Sequence, residues 1–447
     1  MMKKIGLDST NKENIEKSII NDTTGRNENI VNFIRLLNSC NEDTWTIAIN
    51  GKWGTGKTFF IKQCKYVIDH YNDEKCNKVI KEDLLNKVNI NDINYKTIYF
   101  DSWENDNEID PLISITKDIS DRYKLKEAVQ RRIADILTSI LNLTEGGKVI
   151  SDLLELIRQD SKVKNPVKEL TEILDSIIEG NNDRLIIFID ELDRCRPSYA
   201  VKLLERIQHC FLNKKITFVF SVSLTELSQT VKKFYGENFD GDGYLQRFFD
   251  LELPLPEPDL SNYYSQTEEL KDNGERFYDY CKSIAHHFNF SLRELNRFYL
   301  RVNLIEEEAV SLISTGDVFG ELMDELLYRI LNFVSSYYIE PYLIGLKMVN
   351  NNKFNNFIAG INDDDIVNLL ITDSMFDRII DQNQKFDIIH EMYAIIFKNK
   401  RQTKLFKNDR KIILAENQIS LPNYFDKLKI KILNDISLIS DSVNYDK

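Results

Sequence analysis

Residues 51–58 read Gly51-Lys52-Trp53-Gly54-Thr55-Gly56-Lys57-Thr58, which meets the pattern GxxxxGK[ST] at every fixed position. Glycines at these places let a backbone wrap so that successive N–H groups point inward, a lining suited to phosphate oxygens. A helix beginning near Lys57 would add its positive end to the same pocket. In that arrangement Lys57 reaches the β- and γ-phosphates of a nucleoside triphosphate, and the Thr58 hydroxyl binds Mg²⁺. The candidate nucleotide contacts are Gly51, Trp53, Gly54, Thr55, Gly56, Lys57, Thr58 and Phe59. The competing reading is a chance glycine turn, and the strand-like and helix-like segments on either side weigh against it.

A second constellation is Ile186-Ile187-Phe188-Ile189-Asp190-Glu191, an apolar run ending in two acids. A buried strand of this kind delivers Asp190 to its C-terminal edge, where it can hold Mg²⁺ through water. Glu191, one residue on, is placed to polarise a water against the γ-phosphate. Alone, the pair would read as two acids in a surface turn. Together with the phosphate loop upstream it reads as the metal-binding and catalytic side of the same site.

Several segments must position these groups. TWTIAIN (44–50) is a short apolar run rich in β-branched residues, a buried strand leading into the loop, and FFIKQCKYVIDHY (59–71) resumes helical spacing. Before them, residues 1–25 are polar and aperiodic, a lead-in, while Ile30, Phe33, Ile34 and Leu37 stand at helical spacing. KTIYFDSW (96–103), RLIIFIDELD (184–193) and ITFVFSVS (216–223) read as further strands, and residues from about 111 to 180 are helical in pattern, opened by Pro111. That helical stretch includes Ile113, Ile136, Leu137, Ile140 and Leu141, then Leu153, Leu154, Leu156 and Ile157. LELPLPEP (251–258) is extended, and its prolines mark a boundary. The remainder reads as helical, with Leu326, Leu327, Ile330, Phe333 and Val334 on amphipathic stretches. Tyr337, Tyr338 and Tyr342 are read as packing within a bundle, and FKNKRQTKLFKNDRK as a basic loop.

The expected class is α/β, a parallel sheet flanked by helices, with a helical insertion near 105–180. The core is placed at 1–260 and a helical C-terminal domain at 261–447.

The 447 residues hold 58 Lys and Arg against 71 Asp and Glu, a formal net charge of −13 at pH 7. Such a chain is repelled by a nucleic-acid backbone unless its cations gather on one face, so a nucleic-acid partner is left open and is not indicated. Six cysteines stand apart without a CxxC pair, as expected of free thiols in a reducing cytosol. The N-terminal lysines have no apolar run behind them, and the most apolar stretch, Ile330 to Ile339, is bounded by Arg329 and Glu340. The expectation is a cytoplasmic protein with no secretory signal and no membrane span.

At this point the sequence resembles the KAP family of P-loop NTPases, a branch near the STAND ATPases. NGKWGTGKT, YFDSWEND…DPL (99–112), FIDELDRCRP (188–197) and YGENFDGDGYLQRFFDLELPLPEP (235–258) carry the resemblance, over about residues 22–300. It implies a bacterial ATPase using ATP and Mg²⁺, working as a homo-oligomer in a conflict role such as phage defence, with a protein effector encoded separately. A nucleotide-dependent scaffold that turns over slowly or not at all is the rival.

The resemblance also implies roles for further residues. Arg247, in YLQRFF, sits where related ATPases place an arginine that reaches a neighbouring subunit's γ-phosphate. Arg293 and Arg297 resemble a sensor arginine in the helical domain; the alternative is a solvated helix face. Trp103 and Glu104 match the family's WE pair, although a Trp ending a strand more often packs in a core. Asp193 and Arg194 match a DR signature whose bland alternative is a buried ion pair. Two departures stand out. Ser223 replaces the aspartate that commonly ends the fourth strand, and the insertion between the two phosphate-site motifs is charged throughout, where many bacterial members carry membrane helices.

Overall fold

The strand that carries the acid pair is buried on both faces. In the computed structural model it spans Asp183–Asp190, and Leu185, Ile187 and Ile189 join one apolar cluster while Ile186 and Phe188 join another. Two covered faces explain why this run is continuously apolar instead of alternating.

The structure describes residues 9–40, 44–71, 80, 84, 87, 94–108, 110–142, 166–178, 183–211, 214–260, 263, 275–314, 332, 335–361, 382–398, 402–408, 411–420, 427–434 and 436. Leu153, Leu154, Leu156, Ile157, Leu326, Leu327, Ile330, Phe333 and Val334 lie outside the described residues, as do the side chains of Ile140 and Leu141.

The chain divides into two compact units, Gly6–Tyr264 and, chiefly, Ser265–Lys447. The first runs α1 (Lys12–Ile20), α2 (Asn27–Ser39), β1 (Trp45–Asn50), α3 (Lys57–Asp69), β2 (Asn94–Asp101), α4 (Pro111–Tyr123), α5 (Glu127–Asn142), α6 (Pro166–Ile177), β3 (Asp183–Asp190), α7 (Pro197–Cys210), β4 (Ile216–Val222), α8 (Leu224–Tyr235), α9 (Gly241–Leu245) and β5 (Leu251–Pro254). The five strands are parallel, in the order β2-β3-β4-β1-β5. β4 therefore stands between the strand that feeds the phosphate loop and the strand that ends in Asp190. Two strand spacings, roughly 10 Å, separate them.

One sheet face is covered by α4, α5, α6 and α7, through Leu112, Ile115, Ile136, Leu170, Leu174 and Leu203. Asp110 anchors this layer. Its Oδ1 accepts from Leu112 N at 3.0 Å as the cap of α4, and its Oδ2 accepts from Arg206 Nη2 at 2.8 Å. With Asp110 fully buried, losing Arg206 would strand a carboxylate at a cost of about 3–5 kcal/mol.

The other face is covered by α1, α2 and α3, including Ile30, Ile34, Leu37, Ile61 and Val67. The lead-in expected to be irregular thus contains α1. Asn11 Oδ1 caps it by accepting from Glu13 N at 2.9 Å, and Ile15 and Ile19 are its buried apolar residues. Two such residues are too few to write a legible period into the sequence.

The second unit contains α10 (Glu275–His287), α11 (Leu292–Ser314), a π turn (Ser335–Ile339), α12 (Glu340–Val349), α13 (Asn351–Ile358) and α14 (Lys385–Phe397). Tyr337, Tyr338 and Tyr342 are buried within it, and Tyr280 donates from its hydroxyl to the Tyr338 carbonyl at 3.2 Å. The basic segment read as a loop instead contains β6 (Gln402–Asn408), paired antiparallel with β7 (Lys411–Ser420) that follows it. Its lysines hid it, since lysine marks polar edge strands as readily as loops. No described helix is long and apolar enough to cross a membrane.

Candidate functional site

The loop between β1 and α3 closes around Lys57. Gly54 and Gly56 take φ of 82° and 91°, a region that L side chains resist, so the turn into α3 depends on glycine here. The Lys57 ammonium donates to the Gly51 carbonyl at 2.7 Å and to the Lys52 carbonyl at 3.2 Å, and the residue is only 8% exposed. Burial lowers its pKa, while Asp193, Asp190 and Glu191 pull the other way. The first-turn N–H groups of Lys57, Thr58 and Phe59 have no helical carbonyl to meet. The crest of the loop is tied down from outside: Arg26, 1% exposed, donates from Nη1 to the Thr55 carbonyl at 3.1 Å.

Across β4 stand the acids. Asp190 is 1% exposed and pairs in register with Ser221 of β4 and Asp101 of β2. Tyr99 donates from its hydroxyl to Asp190 Oδ2 at 2.9 Å, and the Glu191 N–H donates to Oδ1 at 3.0 Å. Burial raises the Asp190 pKa, and the hydrogen bonds from Tyr99 and the Glu191 N–H oppose the rise. Glu191 adopts the left-handed backbone, φ 59°, and its Oε1 lies 3.5 Å from the Thr58 hydroxyl. Burial and then the Asp190 charge push its carboxyl up to about 7, against the pull of Arg194.

The donor set fits a nucleotide phosphate chain with Mg²⁺. A hydroxyl and a carboxylate, Thr58 and Asp190, are hard oxygen ligands of the kind Mg²⁺ takes. The loop also leaves no room for bulk, because a Cβ on Gly51 would lie 3.0 Å from Thr55 Oγ1 and 3.3 Å from Lys57 Cγ.

The KAP family P-loop domain matches residues 26–309, more than half of the chain. The chain belongs to this family. A solved structure of the Aeropyrum pernix ORC2 protein in its ADPNP-ADP complexes is also similar, over 93% of this chain and 94% of that one, at 13% identity and a TM-score of 0.35. No curated protein matches.

Within this KAP domain Asp193 and Arg194, in the turn after β3, take different partners. Asp193, 5% exposed, accepts from Trp53 Nε1 at 2.7 Å and from Ser223 N at 3.0 Å, both on Oδ2. Arg194 instead forms its ion pair with Glu191. Trp103 is 54% exposed and packs beside Arg194, not in a core, because β2 ends at Asp101 and the chain has already turned.

Arg247 is exposed and follows α9, before β5. It lines a cavity of about 400 Å³ with Thr44, Thr46, Phe211 and Asp250, at the end of the sheet where β1 and β4 begin. The phosphate loop is at the other end, so one chain does not bring the two together. Arg293 and Arg297 lie exposed on α11 in the second unit.

Three contributors escaped the sequence reading. Tyr99 supports Asp190, Arg26 holds the Thr55 carbonyl, and Asn50 Oδ1 accepts from Leu224 N at 3.1 Å, joining the loop strand to the start of α8.

Proposed function

We propose that the chain is a Mg²⁺-dependent ATPase, converting ATP to ADP and phosphate, whose turnover drives a conformational or assembly switch. The observation that carries this reading is the 3.5 Å approach of Glu191 Oε1 to the Thr58 hydroxyl, which sets the catalytic acid against the metal-binding residue of the loop. In this reading the loop N–H groups and Lys57 bind the phosphates, Thr58 and Asp190 hold Mg²⁺, and Glu191 orients the attacking water. Bound Mg²⁺ supplies charge neutralisation between the phosphates. Residues 1–260 form the ATPase core with 105–180 as its insert, and 261–447 a mainly helical domain. Family membership supports a place in bacterial anti-phage defence, in the cytoplasm, as a homo-oligomer acting with a separate effector.

Steady-state phosphate release with Mg·ATP tests the assignment, beside Lys57→Ala and Glu191→Gln. Wild type should turn over, Lys57→Ala should lose ATP binding, and Glu191→Gln should bind ATP without hydrolysing it. A Glu191→Gln variant as fast as wild type would remove the catalytic role.

A second reading is a nucleotide-dependent binding switch that turns over slowly or not at all. The ion pair between Glu191 and Arg194 favours it, together with Ser223 in place of an aspartate. Tight ATP retention without phosphate release in wild type would select this reading.

A further inference from the structure

Both oxygens of the Glu191 carboxylate are directed at protein groups. Oε1 faces the Thr58 hydroxyl, and Oε2 is taken by Arg194 Nε, three residues along the same turn. Arg194 is itself seated, its Cζ lying 5.7 Å from the centre of the Trp103 ring. The turn that carries Trp103 is fixed at its base. Asp101 Oδ1 accepts from Trp103 N at 3.0 Å and from Glu104 N at 3.1 Å, and Ser102 N donates to the Asp190 carbonyl at 3.0 Å. Trp103 remains more than half exposed. Burial therefore does not explain the ring's position, whereas a guanidinium over an aromatic face does.

A carboxylate held in an ion pair is a poor base, because its charge is matched and its lone pairs are committed. Glu191 also sits at φ 59°, a left-handed backbone that is unfavourable for a non-glycine residue.

We propose that Arg194, seated on Trp103, is a positioning residue that restrains Glu191, and that turnover requires this ion pair to open. The inference rests on the ATPase reading above for its consequence, and on the Trp103–Arg194–Glu191 contacts for its structure. The half-exposed Trp103 makes the restraint reachable from outside: displacing that ring unseats the guanidinium without entering the phosphate pocket.

The test compares kcat and KM for ATP in wild type, Arg194→Ala, Arg194→Lys, Trp103→Ala and Glu191→Gln. Arg194→Ala should raise kcat by about fivefold to thirtyfold, the factor that an ion pair and a cation–π contact at partly exposed sites together supply. KM should stay within about twofold, since uniform binding is untouched. Trp103→Ala should move kcat the same way by less, and Arg194→Lys should return most of the restraint. A fall in kcat in Arg194→Ala with ATP binding retained, or no change, overturns the proposal.

A second readout does not depend on turnover. In protein carrying 5-fluorotryptophan, the ¹⁹F resonance lost in Trp103→Phe identifies Trp103. That resonance should shift in both Arg194→Ala and Glu191→Gln. If it stays in place in both, the chain of contacts is wrong whatever the kinetics show. If it shifts while Glu191→Gln hydrolyses ATP like wild type, the catalytic role of Glu191 fails and the contacts stand.

Discussion

Trp53 and Asp193, 140 residues apart in sequence, meet through one hydrogen bond from the indole Nε1 to Oδ2 at 2.7 Å. The same oxygen accepts the Ser223 N–H at 3.0 Å. The phosphate loop, the turn after the acid pair and the end of β4 thus converge on a single buried carboxylate oxygen.

Asp193→Ala should uncouple all three. Two donors lose their acceptor, at roughly 1–3 kcal/mol each where they are buried, so the melting temperature should fall and kcat should drop about tenfold. Trp53→Phe severs the loop alone. It should leave the melting temperature near wild type and weaken ATP binding several-fold by calorimetry. Wild-type affinity in Trp53→Phe would show that the indole contact does not hold the loop.

Tyr99→Phe tests how Asp190 is oriented. The hydroxyl at 2.9 Å from Oδ2 is removed, while the ring under Lys62 Nζ, 4.5 Å from its centroid, is kept. Partners that orient a metal ligand typically contribute about tenfold to a hundredfold in metal affinity. The Mg²⁺ concentration giving half-maximal ATP binding should rise by about tenfold in a titration at fixed ATP. An unchanged midpoint would leave Tyr99 as packing.

Gly25 and Arg26 form a brace behind the loop. Gly25 takes φ +63°, and a Cβ there would stand 2.4 Å from the Asp259 Cβ, while Asp259 N donates to the Thr24 carbonyl at 2.9 Å. Gly25→Ala should therefore lower stability by about 1–3 kcal/mol in a denaturant titration. The Arg26 guanidinium is pulled down to about 10, mainly by burial, with the Glu257 charge opposing. Arg26→Lys should still weaken ATP binding, because a lysine ammonium lacks the planar fork that reaches the Thr55 carbonyl. Full affinity in Arg26→Lys would count against the brace.

Arg247 stands at the opposite end of the sheet from the phosphate loop, so any contact with nucleotide has to come from a second copy. Arg247→Ala should lose turnover on the order of a thousandfold while binding ATP normally. Mixing Arg247→Ala with Lys57→Ala should recover turnover above the sum of the two alone. A mixture no better than its parts places Arg247 outside the reaction.

The sequence by itself determined the two halves of the candidate site and the sheet that holds them. GKWGTGKT can wrap a phosphate because its glycine positions permit it, and IIFIDE runs from apolar to acidic because a doubly covered strand ends at an edge. Both are local facts, written in adjacent residues. Strand order, by contrast, depends on which covered faces fit together, so only the tertiary structure put β4 between Asp190 and the loop. It also decided the partners of Asp193 and Arg194. Adjacent acid and base in DR look like a pair, yet the turn Leu192–Arg194 points Asp193 to Trp53 and Arg194 to Glu191. Arg26, Tyr99 and Asn50 were invisible for the same reason. Each acts on a group 29, 91 or 174 residues away, and no period or spacing along the chain encodes a contact at that separation.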